Sequence, residues 1–434
     1  MTRLQQAAAV VTGSLALAVA ACTDVKPDPL TPTPPATPTP ADTAPPAAVP
    51  EADLKALADG NNAFAIDLYK RVAAETDGDV VLSPLSIRTA LTLTYAGARG
   101  RTAEEMREVL HFTLPDDRLH AATDATIRRL TGGPADAAGR TEIANALWLH
   151  DQSTLSKSFQ ALADRHYAAG LNRVDFRSPG VAVDRINSWV SNRTHGVIPD
   201  LVSEDDVTEL TRLVLVNALY FKADWANPFP PEHTKDAPFH VEPGRTVPVR
   251  MMHGGFGLQF AETAGVRLLA MPYSRSGQAA LVVLPTKDGG LGDVDRSLTP
   301  AVLAGWLSVI RDAEECHVEV KLPKFRAGGD KQVLAKHLID AGMKTFGGSQ
   351  ADFSGFGLQE RVVLSEVIHK AVIETDEVGT VAAAATAVVM EVPNSDTNRE
   401  VRRVLFAADR PFLLLIYDSD SGLVEFICRV TMRA

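Results

Sequence analysis

Few side chains in this 434-residue sequence are spaced for covalent chemistry. Serine, histidine and aspartate all occur, but no Gly-x-Ser-x-Gly elbow presents a nucleophile and no Walker loop cradles a phosphate. No His-Glu-x-x-His pair offers two metal ligands on one helix face, and Gly254-Gly255-Phe256-Gly257 lacks the spacing of a dinucleotide site. His369 stands alone in Val367-Ile368-His369-Lys370, where it is a core residue or a member of a polar cluster, and in neither role a catalyst. Asn217 is the polar side chain within the apolar run from Leu213 to Phe221, which reads as a central strand. A buried Asn is costly unless hydrogen-bonded, so Asn217 requires partners. The chain is therefore not expected to be an enzyme, and no cofactor or metal is expected.

The stretch around which the rest can be arranged runs from Glu377 to Thr386 and reads Glu-Val-Gly-Thr-Val-Ala-Ala-Ala-Ala-Thr. Upstream, Ala371 to Asp376 has the β-branched alternation of a strand, and Gly379 then permits a bend that a side chain would resist. The alanines form either a helical turn or a strand that must enter a crowded place. Thr386, Val388 and Val389 are β-branched and Pro393 ends the run, which favours the strand. With Thr380, Ala382, Ala384, Thr386, Val388 and Met390 facing a core, the opposite face carries Val381, Ala383, Ala385, Ala387, Val389 and Glu391, so the single charge lies outside.

These residues resemble the hinge and reactive-centre loop of the serpins, the serine protease inhibitor family. The family pattern is Glu, any residue, Gly, Thr, Glu, four small residues and Thr. The chain matches at Glu377, Gly379, Thr380, Ala382, Ala383, Ala384, Ala385 and Thr386, and departs at Val381, where the family has Glu. The resemblance continues in order through Val80-Val81-Leu82-Ser83-Pro84-Leu85-Ser86-Ile87, Asn145-Ala146-Leu147-Trp148, Leu213 to Trp225, Leu322-Pro323-Lys324-Phe325 and Asp409-Arg410-Pro411-Phe412. It implies an α+β serpin fold, three β-sheets surrounded by about eight to nine helices, with an exposed loop over about residues 377–408. It also implies a shutter of Ser83, Ser86, Asn217 and His369 where two strands must part, and a breach where Trp225 lies and Lys324 pairs with Glu377. Taken alone, Ser83 and Ser86 read equally as a helix N-cap. Thr102-Ala103-Glu104-Glu105 has the form of a capping box opening the next helix.

What the resemblance implies for function is a suicide substrate. A target serine protease, elastase-like or subtilisin-like, cuts the loop, and the freed hinge slides into the main sheet with the acyl-enzyme attached. Counting from Glu377 places the scissile bond in the window Met390, Glu391, Val392, Pro393, Asn394, although proline before a cut suits few serine proteases. The loop is longer than the family's, with the surplus in Asn394 to Arg403, so Arg399, Arg402 or Arg403 would instead suit a trypsin-like enzyme. The alternative is a non-inhibitory serpin acting as a binding or carrier protein, for which Val381, Pro393 and the long loop are the hints.

The N-terminus reads as a targeting segment. Arg3 precedes an apolar run from Ala7 to Ala21, and Val19-Ala20-Ala21-Cys22 looks like a bacterial lipobox, with residues 1–21 removed and Cys22 lipidated. Residues 22–50 are rich in Pro and Thr, an extended tether rising about 3.1 Å per residue. Residues 51–434 show no second linker and read as one domain. The expected location is across the inner membrane, lipid-anchored at the cell envelope or surface and otherwise extracellular. The net charge of −11 and the lack of a basic run argue against nucleic acid as a partner and against the family's heparin-type activation; membrane contact is expected only through the lipidated N-terminus, and a monomer is expected. Of three cysteines, Cys316 and Cys428 lie in alternating apolar segments and read as buried free thiols, with a bridge between them in an oxidising compartment as the alternative.

Overall fold

The computed structural model describes residues 48–132, 139–167, 171–209, 211–274, 277–359, 361–364, 366–380 and 402–433. Cys22, the tether as far as residue 47, Ala382 to Thr386 and the window Met390 to Asn394 lie outside the described residues. The helices are α1 (Glu51–Ala74), α2 (Pro84–Tyr95), α3 (Gly100–Val109), α4 (Asp116–Thr131), α5 (Lys157–His166), α6 (Pro179–Arg193), α7 (Leu291–Ser297), α8 (Pro300–Arg311) and α9 (Ala335–Ala341). The strands are β1 (Val80–Leu82), β2 (Gly139–His150), β3 (Leu171–Val174), β4 (Leu213–Asp224), β5 (Lys235–Glu242), β6 (Arg245–Thr263), β7 (Val266–Pro272) and β8 (Gln278–Pro285). They continue with β9 (Glu315–Pro323), β10 (Phe325–Gly328), β11 (Gln332–Val333), β12 (Val367–Thr375), β13 (Gly379–Thr380), β14 (Arg403–Ala407), β15 (Phe412–Asp418) and β16 (Val424–Val430). None of the described helices is long and apolar enough to cross a membrane.

The architecture is α+β. One sheet runs β10-β12-β13-β4-β2-β3, and the other runs β1-β16-β15-β8-β7-β6-β9-β14 with β5 on β6. The second is two sheet regions joined by the 19-residue β6, which pairs with β7 at its C-terminal end and with β5 and β9 before it. Strand periodicity explains how the layers meet. On β4, Leu213 and Leu215 enter a core shared with the helices, Leu219, Phe221 and Ala223 enter one between the sheets, and Val214 and Val216 pack on the opposite face under α6. Asn217 belongs to the inward set and is fully buried. Cys316 and Cys428 are buried free thiols in the inter-sheet core.

The capping box expected at Thr102 does not form. The helix α3 starts at Gly100, before Thr102, and its N-cap Arg99 makes no side-chain cap. Thr102 and Glu105 face inward instead. The Thr102 hydroxyl accepts from Asp352 N–H at 2.9 Å, and the Glu105 carboxylate accepts from Thr345 N–H at 2.8 Å. Tertiary partners have taken the side chains that a local cap would have used.

Candidate functional site: a seam between two parallel strands

The strands β4 and β12 are parallel neighbours from Val367↔Leu215 to Ala371↔Leu219, with His369 opposite Asn217. Above Leu219 they diverge, and β13 fills the gap: Thr380 is opposite Ala223 of β4 and Thr375 of β12, antiparallel to both. The seam is thus stitched by side chains below and wedged by the hinge above.

The lower stitch gathers Ser83, Ser86, Asn217 and His369. Asn217 Nδ2 donates to Ser86 Oγ and to Asn145 Oδ1, each at 2.7 Å. Ser83 N–H donates to His369 Nε2 at 3.1 Å, so that nitrogen carries no proton; Nδ1–H donates to Asn217 Oδ1 at 2.6 Å. Burial lowers the His369 pKa to about 3, only partly opposed by the bond to Asn217. The imidazole is therefore neutral near pH 7, as its acceptor role requires. Ser83 is also the N-cap of α2, accepting from Ser86 N–H at 3.3 Å, so both readings of this serine hold together. Its hydroxyl donates to the Glu425 carbonyl at 2.9 Å.

Asn145 is a member that the sequence reading left out of this group. It sits on β2 opposite Asn217, accepts from Ser86 Oγ at 3.0 Å and donates to the Ser86 carbonyl at 3.1 Å. The signal was the same as for Asn217, a polar side chain opening the apolar stretch Ala146-Leu147-Trp148.

At the upper end, Lys324 Nζ donates to Glu377 Oε2 at 2.6 Å and Thr234 Oγ1 donates to Oε1 at 2.7 Å. Burial pushes the Glu377 carboxyl up, but these two donors outweigh it and hold its pKa below the ordinary value. Trp225 stacks on Tyr273 with centroids 4.6 Å apart, and its indole N–H donates to the Asp376 carbonyl at 3.0 Å. The backbone of the hinge is tied down as well, with Trp225 N–H on Val378 O and Phe229 N–H on Glu377 O, both 2.8 Å. Thr380 is buried and its hydroxyl lies 2.7 Å from Tyr273 Oη. Thr234 and Tyr273 were not legible from sequence, since neither stands out from its neighbours.

Gly379 corrects one reading. It is not at a left-handed bend. A Cβ there would lie 2.2 Å from Ala223 O and 2.6 Å from Asp224 Cα, so glycine is needed because the hinge backbone lies against β4.

Residues 59–432 match the family described as Serpin (serine protease inhibitor). The chain belongs to the serpin family. A serpin-like protein of Thermococcus kodakarensis is 35% identical over 381 residues, 88% of this chain and 86% of that one. The leukocyte elastase inhibitor of Bos taurus is 32% identical over 389 residues, 87% of this chain and 100% of the relative. Among solved structures, human thyroxine-binding globulin superposes with a TM-score of 0.76 at 30% identity, over 87% of this chain and 99% of that one. As a member of a family described as serine protease inhibitors the chain is not an enzyme, and Ser83, Ser86, Asn145, Asn217 and His369 bond to one another across the seam.

Proposed function

We propose that this serpin is a monomeric suicide inhibitor of serine proteases. Supporting this is one observation: Thr380 already pairs with both β4 and β12 at the top of the seam, and Gly379 pairs with β4. Continued in the same register, Ala382 falls opposite Phe221, Ala384 opposite Leu219, and Thr386 between Asn217 and His369. Small residues then meet the filled part of the core, and a hydroxyl replaces the hydrogen bond that the parting strands give up. A strand from Thr380 to Val392 at about 3.3 Å per residue spans roughly 43 Å, the distance over which an acyl-linked protease is carried. About ten new backbone hydrogen bonds at ~1 kcal/mol each give on the order of 10 kcal/mol, comparable with the stability of an ordinary protease domain. The scissile bond lies in the Met390 to Asn394 window, and the target is elastase-like or subtilisin-like. A lipidated Cys22 and the Pro-rich tether hold the inhibitor at the envelope surface.

The test is incubation with elastase-like, subtilisin-like, chymotrypsin-like and trypsin-like proteases, followed by denaturing gels and mass spectrometry of the released C-terminal peptide. A denaturant-resistant complex is expected, with the peptide's first residue giving the bond. Clean cleavage by every protease, without a complex and without a gain in thermal stability, leaves the second reading. That reading is a carrier, favoured by the likeness to thyroxine-binding globulin.

A further inference from the structure

Glu425 is fully buried in the wall behind the shutter, and nothing in the trapping scheme uses its carboxyl. It is the residue left over where β15 and β16 slip register: Ile416 is opposite Phe426, Tyr417 is opposite Val424, and Glu425 has no strand partner. Its Oε1 accepts from Gln278 Nε2 of β8, while Oε2 has no hydrogen-bond partner among the described residues. The charged groups acting on it are Asp418 at the end of β15 and Arg129 of α4, which pair with each other. The other titratable group it influences is Tyr273, at the end of β7. From α1, Asn61 Nδ2 donates to the carbonyl of neighbouring Val424 at 2.8 Å. From the start of α2, Ser83 Oγ donates to Glu425's own carbonyl, and the same serine's N–H holds His369 of β12. One residue therefore ties the bulge to the strand that must move.

We propose that the protonation state of Glu425 sets how fast the seam parts: with the carboxyl neutral the bulge stays dry and Ser83 bridges β16 to β12, and with it ionised, water drawn to the orphan oxygen loosens that bridge. Glu425 is a positioning residue acting through Ser83 and His369. An ionised carboxylate with one amide donor and, among the described residues, no cation in contact is the least tolerable state for a buried acid. Accordingly, burial raises its pKa to about 8, with Asp418 adding to the rise and Gln278 and Arg129 opposing it. A carboxyl with a raised folded value holds a proton that the unfolded chain has already lost. Its contribution to native stability is therefore full below the unfolded value of 4.5 and falls as pH rises toward about 8.

The proposal rests on the loop-insertion reading above, and its test separates the two. The full chain is mixed with a synthetic acetylated peptide of sequence Thr380 to Val392, and the annealing rate is followed by native gel from pH 5.5 to 9. The thermal midpoint of the uncleaved chain is measured in parallel. Annealing is expected to quicken about tenfold between pH 6 and pH 9, the ratio for a carboxyl whose pKa falls by one unit between the native state and the transition state. Glu425→Gln should hold the rate within about twofold across that range and remove the corresponding fall in thermal midpoint. Gln278→Met, which deletes the donor favouring the charged form, should move the wild-type rise to higher pH. A pH-independent wild-type rate, or a rise that survives in Glu425→Gln, overturns the role of Glu425 while leaving insertion intact. Failure of the peptide to anneal to any chain at any pH overturns insertion and the proposal with it.

Discussion

The two ends of the seam are held by opposite kinds of chemistry. The lower network of Ser83, Ser86, Asn145, Asn217 and His369 is neutral and closed: each hydrogen bond among these residues joins uncharged groups, and His369 is kept neutral by burial. The upper end is ionic and half-open, with Lys324 37% exposed against Glu377 at 12%. A neutral buried network is insensitive to salt and costly to break one member at a time, whereas a part-exposed ion pair is screened and contributes little. The seam is thus easy to start opening at the top and hard to pass at the middle. The proposed inhibition, which waits for a cut and then moves fast, needs that order of resistance.

The largest effect should come from Asn217→Ala, which strands His369 Nδ1, Ser86 and Asn145 together. We expect a loss of about 3 kcal/mol in native stability by denaturant titration, and a loss below about 1 kcal/mol would break the contrast. Acid should act on the same network. Between the ordinary His value of 6.5 and the folded value of about 3, the unfolded chain binds the proton and the native one does not, so stability falls as pH is lowered. Compared with a His369→Gln chain, the wild type should lose about 2 kcal/mol more between pH 6 and pH 4 in pH-resolved melting.

At the upper end, Gly379→Val sets a side chain against Ala223 and should push the hinge out of its pairing. About tenfold less protease should be trapped per cleavage, as for a ~1.4 kcal/mol penalty on insertion, read as the ratio of complex to cut inhibitor on gels. The smallest change is Lys324→Ala, expected to cost about 0.5–1 kcal/mol at low salt and nearly nothing in 1 M salt. An equal loss at both salt concentrations would show that the pair is not the screened contact described here.

The inward Asn217 could be read from the sequence because one polar residue in an apolar strand has to be satisfied, and the segment from Glu377 to Thr380 stood out because the composition that follows it is so restricted. Asn145 carried the same signal in a shorter apolar stretch. Gly379 was legible in identity but not in cause, since close approach of another strand leaves no mark on local sequence. Glu425 was hidden among Leu423, Val424 and Phe426, in a segment whose register slip depends on its pairing with β15. Thr102 and Glu105 were misread for the same reason, their partners lying more than two hundred residues away at Thr345 and Asp352.

Parallel strands cannot be joined by a tight turn, so β4 and β12, neighbours in space, are far apart along the chain and no tight turn ties them together at the rim where the hinge lies. That rim is an unlaced edge. A segment arriving from above threads between them without any part of the chain having to be unthreaded first. It also runs opposite to both walls, replacing a single parallel contact with two antiparallel ones, the better-bonded arrangement of the two. In topological terms the sheet is one strand short of its most favourable order, and the missing strand is already attached at one end.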